Sequence, residues 1–406
     1  MLSRPSSISD EAIAHAVAAH WLPDVSETDY LPWGFGAYHW RVAGGGTTLF
    51  VTLDEVEPRH TEETLEAAYA GAAALAAAGL EVVCAPLPAR SSGRFTVGVE
   101  AGVLSVTPWL DGRSPTEAEA SEPQHVRRVE AALATLHRAT PPPGVRHWTP
   151  RVGPGFAGEL RARTARPWTS GPLAEEARAV LAAHDAAIAR WTVRYLELAD
   201  LARTRRDLWV PTHGEPHNDN QVVGECGLKL VDWESLAVAP PERDYADLLA
   251  AGAGDRLRPD PAMVELFALD WRLSEIVEYA RWFAAPHTGT DDDRTALEDL
   301  YEELWGAAPR GGGRGGGVGG GGRGGAGGGR GGGGARRGGR APAPAPPPPP
   351  PPRRVRVGVV FSPPPLLPPP FVGGVPPPGG SRPRACVARA GHLRSASRAT
   401  VSACSA

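Results

Sequence analysis

Lysine is nearly absent. The 406-residue chain holds one, Lys229, among 42 Lys and Arg residues. Any site in the first half that calls for a lysine ammonium must therefore do without it. Cysteine is scarce too: Cys84, Cys226, Cys386 and Cys404 form no close pair and no C-x-x-C. That excludes a disulfide framework or a zinc cluster as the organising device. The longest bland apolar stretch, YAGAAALAAAGL, is too short and too rich in Ala and Gly to span a bilayer. The opening residues, MLSRPSSISDEAIAHAVAAHW, hold no apolar leader core and include Asp10 and Glu11. These absences predict a reduced, cytoplasmic protein with no membrane partner.

Acidic residues stop abruptly. All 46 Asp and Glu lie in residues 1–309 with 27 of the Lys and Arg, a balance of −19, whereas residues 310–406 carry +15 and no acid. An acidic body repels nucleic acid and attracts cationic ligands. The tail runs RGGGRGGGVGGGGRGG, then APAPAPPPPPPPRR, then PPPLLPPPFVGGVPPP. Such Gly- and Pro-rich segments cannot pack a core, so 309–406 is expected to be disordered. Nucleic acid could be met only through this RGG-like tail. One Lys beside 41 Arg points to GC-rich coding. Gly, Arg, Pro and Ala are what such DNA yields in a shifted frame, so we read the tail as frameshift-derived.

Within 1–309 the patterns divide into two. Residues 11–21 read as a short helix, LPWGFGAYHWRV (31–42) and TTLFVTLDEV (47–56) as strands, and 61–79 as a helix from cap Thr61 to stop Gly79. Further strands are expected at LEVVCAPL, RFTVGVE and GVLSVTPW. After a turn at Asp111-Gly112 the chain becomes helical. Val126, Val129, Leu133 and Leu136 recur on one helical face. Long helical patterns cover 156–205 and 260–305, with one embedded hairpin, NQVV–GECG–LKLV, between them. The expectation is an α+β, bilobal chain: a small β-rich lobe over 1–110, then a helical lobe over 111–308.

THGEPHNDNQVV (212–223) concentrates the polar chemistry. A hairpin turning at Gly224–Gly227 sets Val223 opposite Leu228 and Asn220 opposite Val231. Asn220 and Asp232 then lie side by side at its open end. Two hard oxygen ligands suit Mg2+, which fills its remaining shell with phosphate and water. Glu215, on the loop leading in, could orient a hydroxyl and accept its proton. A zinc deaminase also shows H-x-E but needs a downstream P-C-x-x-C, which is missing. A zincin needs H-E-x-x-H on a helix, not H-x-x-x-H through Gly and Pro.

THGEPHNDN followed by LVDWE resembles the catalytic and metal loops of the aminoglycoside phosphotransferase and choline-kinase-like family, particularly its spectinomycin-phosphotransferase-like branch. LAVAPPERDYADLL, LATLHRAT and EYARWFAAPHTGT are similar to other segments of that family. The resemblance covers about residues 20–305 and is most specific in the second lobe. It implies a protein-kinase-like fold, with Mg2+ and ATP (or GTP) as cofactors and a small-molecule hydroxyl, such as that of an aminoglycoside or aminocyclitol, as acceptor. It implies metal ligation by Asn220 and Asp232, catalysis by Glu215, a bracing role for His213, and support of the loop by Asp244. Gly34 and Gly36 match the phosphate-covering loop. Trp109 and Leu110 match the adenine-facing hinge, with Pro108 unable to donate.

The chain departs from the pattern twice. Glu215 stands where the family usually has Asp, and Thr52 stands where kinases of this shape place the lysine that holds the phosphates and pairs with a helix Glu. Glu62, Glu63 and Glu66 are the helix acids; Arg41 and Arg59 are alternative cations. These departures sustain a second expectation, a kinase-like binding protein without catalysis. Acids at Asp291–Asp293 and Glu275 read as a solvated helix face.

Overall fold

The computed structural model describes residues 1–305 of the chain apart from 2, 34–35 and 57–59. The expected tail lies outside the described residues. The first lobe begins with α1 (Asp10–His20), whose cap Ser9 accepts from the Ala12 amide. Strands β1 (Glu27–Leu31), β2 (Ala37–Gly44) and β3 (Thr47–Asp54) follow, with Gly45 and Gly46 at φ +56° and +78° in the β2–β3 turn. Next come α2 (Glu62–Ala77), β4 (Thr96–Val99) and β5 (Gly102–Pro108). The five strands form an antiparallel sheet in the order β1-β2-β3-β5-β4. Thr61 caps α2 through a reciprocal bond with Thr64, and Gly79 follows the helix at φ +92°.

Strand alternation sorts the sheet into two faces. Trp40, Val42, Leu49, Val51, Leu53, Leu104 and Val106 pack with Ile13, Val17 and Trp21. The opposite face carries His39, Thr52 and Ser105, which are direct cross-strand partners, and Asp54. This second face looks toward the other lobe.

The second lobe comprises β6 (Gly112–Arg113), α3 (Glu117–Ala120), α4 (Pro123–His137), α5 (Phe156–Thr164), α6 (Ala174–Ala183) and α7 (Asp185–Arg203). It continues through β7 (Val210–Thr212), β8 (Gln221–Gly224), β9 (Gly227–Leu230), β10 (Ala237–Ala239), α8 (Ala246–Ala250), α9 (Gly254–Leu257), α10 (Pro261–Ala284) and α11 (Asp291–Trp305). Val126, Val129, Leu133 and Leu136 of α4 are buried together with Tyr195, Ile276 and Phe283. Leu65, Tyr69 and Leu75 of α2 join the same core, so α2 is bound to the second lobe by apolar burial.

The structure corrects several expectations. LEVVCAPL is not a strand of the sheet. It crosses to the second-lobe hairpin, where the Leu230 amide donates to Val82 O (2.7 Å) and the Cys84 amide to Leu230 O (3.0 Å). β1 was not expected because ETDYL, an edge strand without a buried residue, lacks apolar alternation. β7 and β10, three residues each, are too short to show a period. Gly112 is no turn residue; it pairs with Gly224, where a Cβ would meet Val223 O at 2.8 Å. The long helical patterns are each interrupted, at 165–173 and 285–290, where Pro and Gly cluster.

Candidate functional site

The hairpin has the expected register: Val223 faces Leu228, Gln221 faces Leu230, and the Val231 amide extends the pairing to Asn220 O at 3.0 Å. Asn220 is not a strand residue. It closes a 3-10 turn, Asn218–Asn220, just before β8. Asp232 follows Val231 with φ +63°, a left-handed backbone that costs a non-glycine residue energy. That conformation turns the chain sharply out of the hairpin immediately beyond the Asn220–Val231 pair.

The loop leading into Asn220 is held by buried polar groups. Asp244 accepts from the His213 amide (3.0 Å), the Gly214 amide (2.6 Å) and His137 Nε2 (2.8 Å). Burial alone would raise the Asp244 carboxyl, but the His137 hydrogen bond and charge outweigh it and hold the group below its ordinary value. Arg243 donates to Thr212 Oγ1 (3.0 Å) and Ser235 O (2.8 Å), joining the start of the loop to the segment after Asp232. Gly214 has φ +98°, and a Cβ there would lie 2.5 Å from the Arg243 guanidinium. Glycine is required on both counts.

His213 is fully buried. Its Nε2 donates to Val231 O (2.8 Å) and its Nδ1 accepts from the Glu215 amide (3.3 Å), a set that suits the neutral ring; burial also lowers its pKa. His213 thus ties the loop to the hairpin. Glu215 Oε1 accepts from Ser235 Oγ at 3.1 Å and lies 4.0 Å from Arg151 Nη2. Asn220 Nδ2 donates to Glu215 O (2.9 Å) and sits 3.2 Å from His217 Nε2. With its amide nitrogen so engaged, Asn220 directs Oδ1 the other way. Among the described residues, no three His, Cys, Asp or Glu converge in a metal-holding set. A divalent ion here would use the two oxygens of Asn220 and Asp232 and complete its shell with phosphate and water, which fits Mg2+.

The first-lobe wall differs. Thr52 sits on β3 with Oγ1 at 3.3 Å from His39 Nδ1. Burial holds His39 down at about 3, so its ring is neutral. Asp54 is 7% exposed, and its Oδ2 has no hydrogen-bond partner. Burial, then the charge of Glu234, pushes its carboxyl well above the ordinary value, while Tyr69 donates to it. Glu234 itself is 3.3 Å from His60 Nε2. Arg41 does not replace the lysine: it pairs with Glu27 (2.9 Å) and Asp29 (3.2 Å) at the sheet edge. Among the helix acids, Glu66 faces inward, accepting from the Phe95 amide (3.0 Å) and Thr96 Oγ1 (2.8 Å). Glu62 pairs with Arg94 at 2.6 Å.

Gly36 has φ +100°, whereas Gly34 and Arg59 lie outside the described residues. The Trp109 amide donates to Thr48 O (3.2 Å), so of the two expected hinge donors that one is already used. The Trp109 ring lies 6.1 Å from Trp33 and 6.4 Å from Phe50. Of the acids 291–293 and Glu275, expected on a solvated face, Asp291 alone is exposed. Asp292, Asp293 and Glu275 are buried; Asp293 accepts from Trp282 Nε1 (2.7 Å) and the Thr290 amide (2.7 Å), and Glu275 accepts from Tyr279 (2.8 Å). Arg151 and Ser235, both beside Glu215, were missed by sequence reasoning. Neither belongs to a motif, and a loop arginine carries no local signal.

A sheet-rich lobe, a helical lobe and a polar loop-and-hairpin between them define a protein-kinase-like phosphotransferase architecture. The model of the phosphotransferase enzyme family matches residues 30–309, and the chain belongs to that family. It is thereby a phosphotransferase by class. The chain is 29% identical over 269 residues to Protein StrN of Streptomyces griseus, covering 60% of this chain and 77% of the relative. Its fold is similar to that of spectinomycin phosphotransferase bound to ADP and spectinomycin: TM-score 0.57, 14% identity, 73% of this chain and 94% of the other. It is also similar to a microcompartment-associated aminopropanol kinase: TM-score 0.51, 16% identity, 73% and 95% coverage. No helix among the described residues is long and apolar enough to cross a membrane.

Proposed function

We propose that this protein transfers the γ-phosphoryl group of ATP, or of GTP, to a hydroxyl of a small, amine-bearing molecule, with residues 1–110 holding the nucleotide and 111–308 the acceptor. The observation that carries the reading is the bond from Asn220 Nδ2 to Glu215 O at 2.9 Å, which locks a metal ligand to the residue bearing the catalytic carboxylate. Glu215 accepts the proton of the acceptor hydroxyl as its oxygen attacks phosphorus in line. Ser235 Oγ, 3.1 Å from Glu215 Oε1, holds that carboxylate in place. Asn220 and Asp232 would hold Mg2+, which when bound neutralises charge on the phosphates. Asp244 and His213 keep the loop rigid, a requirement where phosphoryl transfer depends on positioning. Gly36 would let the backbone approach the phosphates, and Leu110 offers the remaining hinge donor. The net charge of −19 over residues 1–309 favours cationic acceptors of the aminoglycoside or aminocyclitol kind.

The test is ADP release by the full-length protein with Mg2+ and ATP or GTP across spectinomycin, aminoglycosides, macrolides, ethanolamine and aminopropanol. Acceptor-dependent release that disappears in Asp232→Ala is the expected result. The first-lobe wall motivates a second reading, a nucleotide-binding protein without catalysis, because His39, Thr52 and Asp54 supply no positive charge. Nucleotide-induced thermal stabilisation with no transfer to any acceptor would favour it.

A further inference from the structure

We propose that Arg151 is a catalytic residue of this site, contacting the phosphoryl group in transit and supplying positive charge beside Glu215. The inference rests on the phosphotransferase reading above.

The charge balance sets the need. A nucleotide triphosphate brings negative charge to a site that already holds the Glu215 carboxylate. Thr52 and His39 contribute no cation, and Arg41 is committed to Glu27 and Asp29. Arg243 is buried and bonded to Thr212 Oγ1 and Ser235 O, so it braces the loop and does not reach a ligand.

Arg151 is built differently. It lies on the segment between α4 and α5, and its backbone amide donates to the Tyr195 hydroxyl at 3.0 Å. That hydroxyl donates in turn to the buried Asp270, which also accepts from Trp148 Nε1 at 3.3 Å. The root of the side chain is therefore fixed in the core. Its head is not: among the described residues no hydrogen bond holds the guanidinium, and its ion-pair neighbour is Glu215 at 4.0 Å, with the arginine side chain 26% exposed. This distance exceeds that of a charge-assisted hydrogen bond. The guanidinium is planar, and its several donors can meet a carboxylate and a phosphoryl oxygen together.

In the step itself the acceptor oxygen forms a bond to Pγ while the bond from Pγ to the β-phosphate bridging oxygen breaks. The hydroxyl proton passes to Glu215 and the electron pair leaves with the nucleoside diphosphate. Charge accumulates on the equatorial oxygens, close to the Glu215 side where Arg151 stands. A cation that meets this charge only as it develops stabilises the transition state more than the ground state, lowering the barrier rather than tightening binding.

The experiment compares full-length wild type, Arg151→Gln and Arg151→Lys by ADP release with Mg2+-ATP, using spectinomycin, ethanolamine and water as acceptor probes. Thermal unfolding checks that each variant is folded. Arg151→Gln is expected to lose about a hundredfold or more in kcat, with both KM values within about threefold of wild type. Added guanidinium ion should restore part of the loss, and Arg151→Lys should fall between the two. Arg151→Gln with kcat within about threefold of wild type overturns the inference, as does a loss confined to acceptor KM. If Arg151→Gln unfolds, an Arg151→Lys enzyme that is folded yet unimpaired overturns it. Wild type without transfer overturns the phosphotransferase reading and this inference with it. Transfer by wild type alongside an unaffected Arg151→Gln removes this inference alone.

Discussion

On the second-lobe wall of the cleft, Asp244, Arg243, His213 and Asn220 each spend their polar groups on the backbone or side chains of one loop. On the first-lobe wall, His39 and Thr52 bond to each other, and Asp54 leaves one carboxylate oxygen without a hydrogen bond. One wall spends these groups on holding a loop; the other retains a buried acid two residues beyond Thr52, the position where kinases of this shape use a cation. The two walls therefore differ in kind: one is a network that holds a loop, the other leaves a buried carboxylate oxygen without a hydrogen bond.

The largest break in the comparison should come from Asp232. Asp232→Ala is expected to lower phosphoryl transfer by about a thousandfold or more, since under the proposed function it removes the one carboxylate of the two groups that would hold the metal. Asp232→Asn, which tolerates the left-handed backbone, separates charge from conformation. ADP-release kinetics read both.

Next is Asp244→Ala, which strands two backbone amides and His137. A loss of roughly 3–5 kcal/mol in urea denaturation is expected. The pH sign follows from the lowered folded-state pKa. The carboxylate's stabilisation is complete above the ordinary value of 3.8 and disappears as pH falls through the lower folded value. The gap between wild type and variant should therefore stay constant from neutral pH down to about 4 and close below it.

The first-lobe wall should respond more gently, and in the opposite direction. Thr52→Lys places an ammonium on β3 facing Asp54, and ADP affinity measured by titration calorimetry should rise by about tenfold. Asp54→Asn should stabilise the protein by about 1 kcal/mol at pH 8. The Asp54 pKa is raised, so the burial cost is absent below 3.8, grows as pH climbs from there toward the higher folded value, and is constant above it. Melting curves at pH 5 and pH 8 should show a smaller gain at the lower pH.

The second-lobe loop and hairpin were legible because they are local. Glu215, Asn220 and Asp232 fall within eighteen residues, and a four-residue turn dictates their register. Asp244 was legible through the motif continuing into ERDYADLL. The α4 face and the caps of α2 were equally plain, since both depend on contacts a few residues apart. The path of LEVVCAPL was not legible: its apolar residues suit a strand, but their partner is Leu230, far along the chain. Acids 291–293 read as a charged helix start; only tertiary packing shows Asp293 buried under Trp282.

The sequence by itself determined the two-part architecture, the loop-and-hairpin chemistry and the missing lysine, because periodicity, turn chemistry and composition act over short separations. Tertiary structure alone decided that Arg151 stands at Glu215, that Arg41 pairs with Glu27 and Asp29, and that the charge of Glu234 reaches Asp54. Those juxtapositions join residues from different elements, and nothing in the neighbours of each along the chain encodes which distant side chain the folded core will bring within a few ångströms.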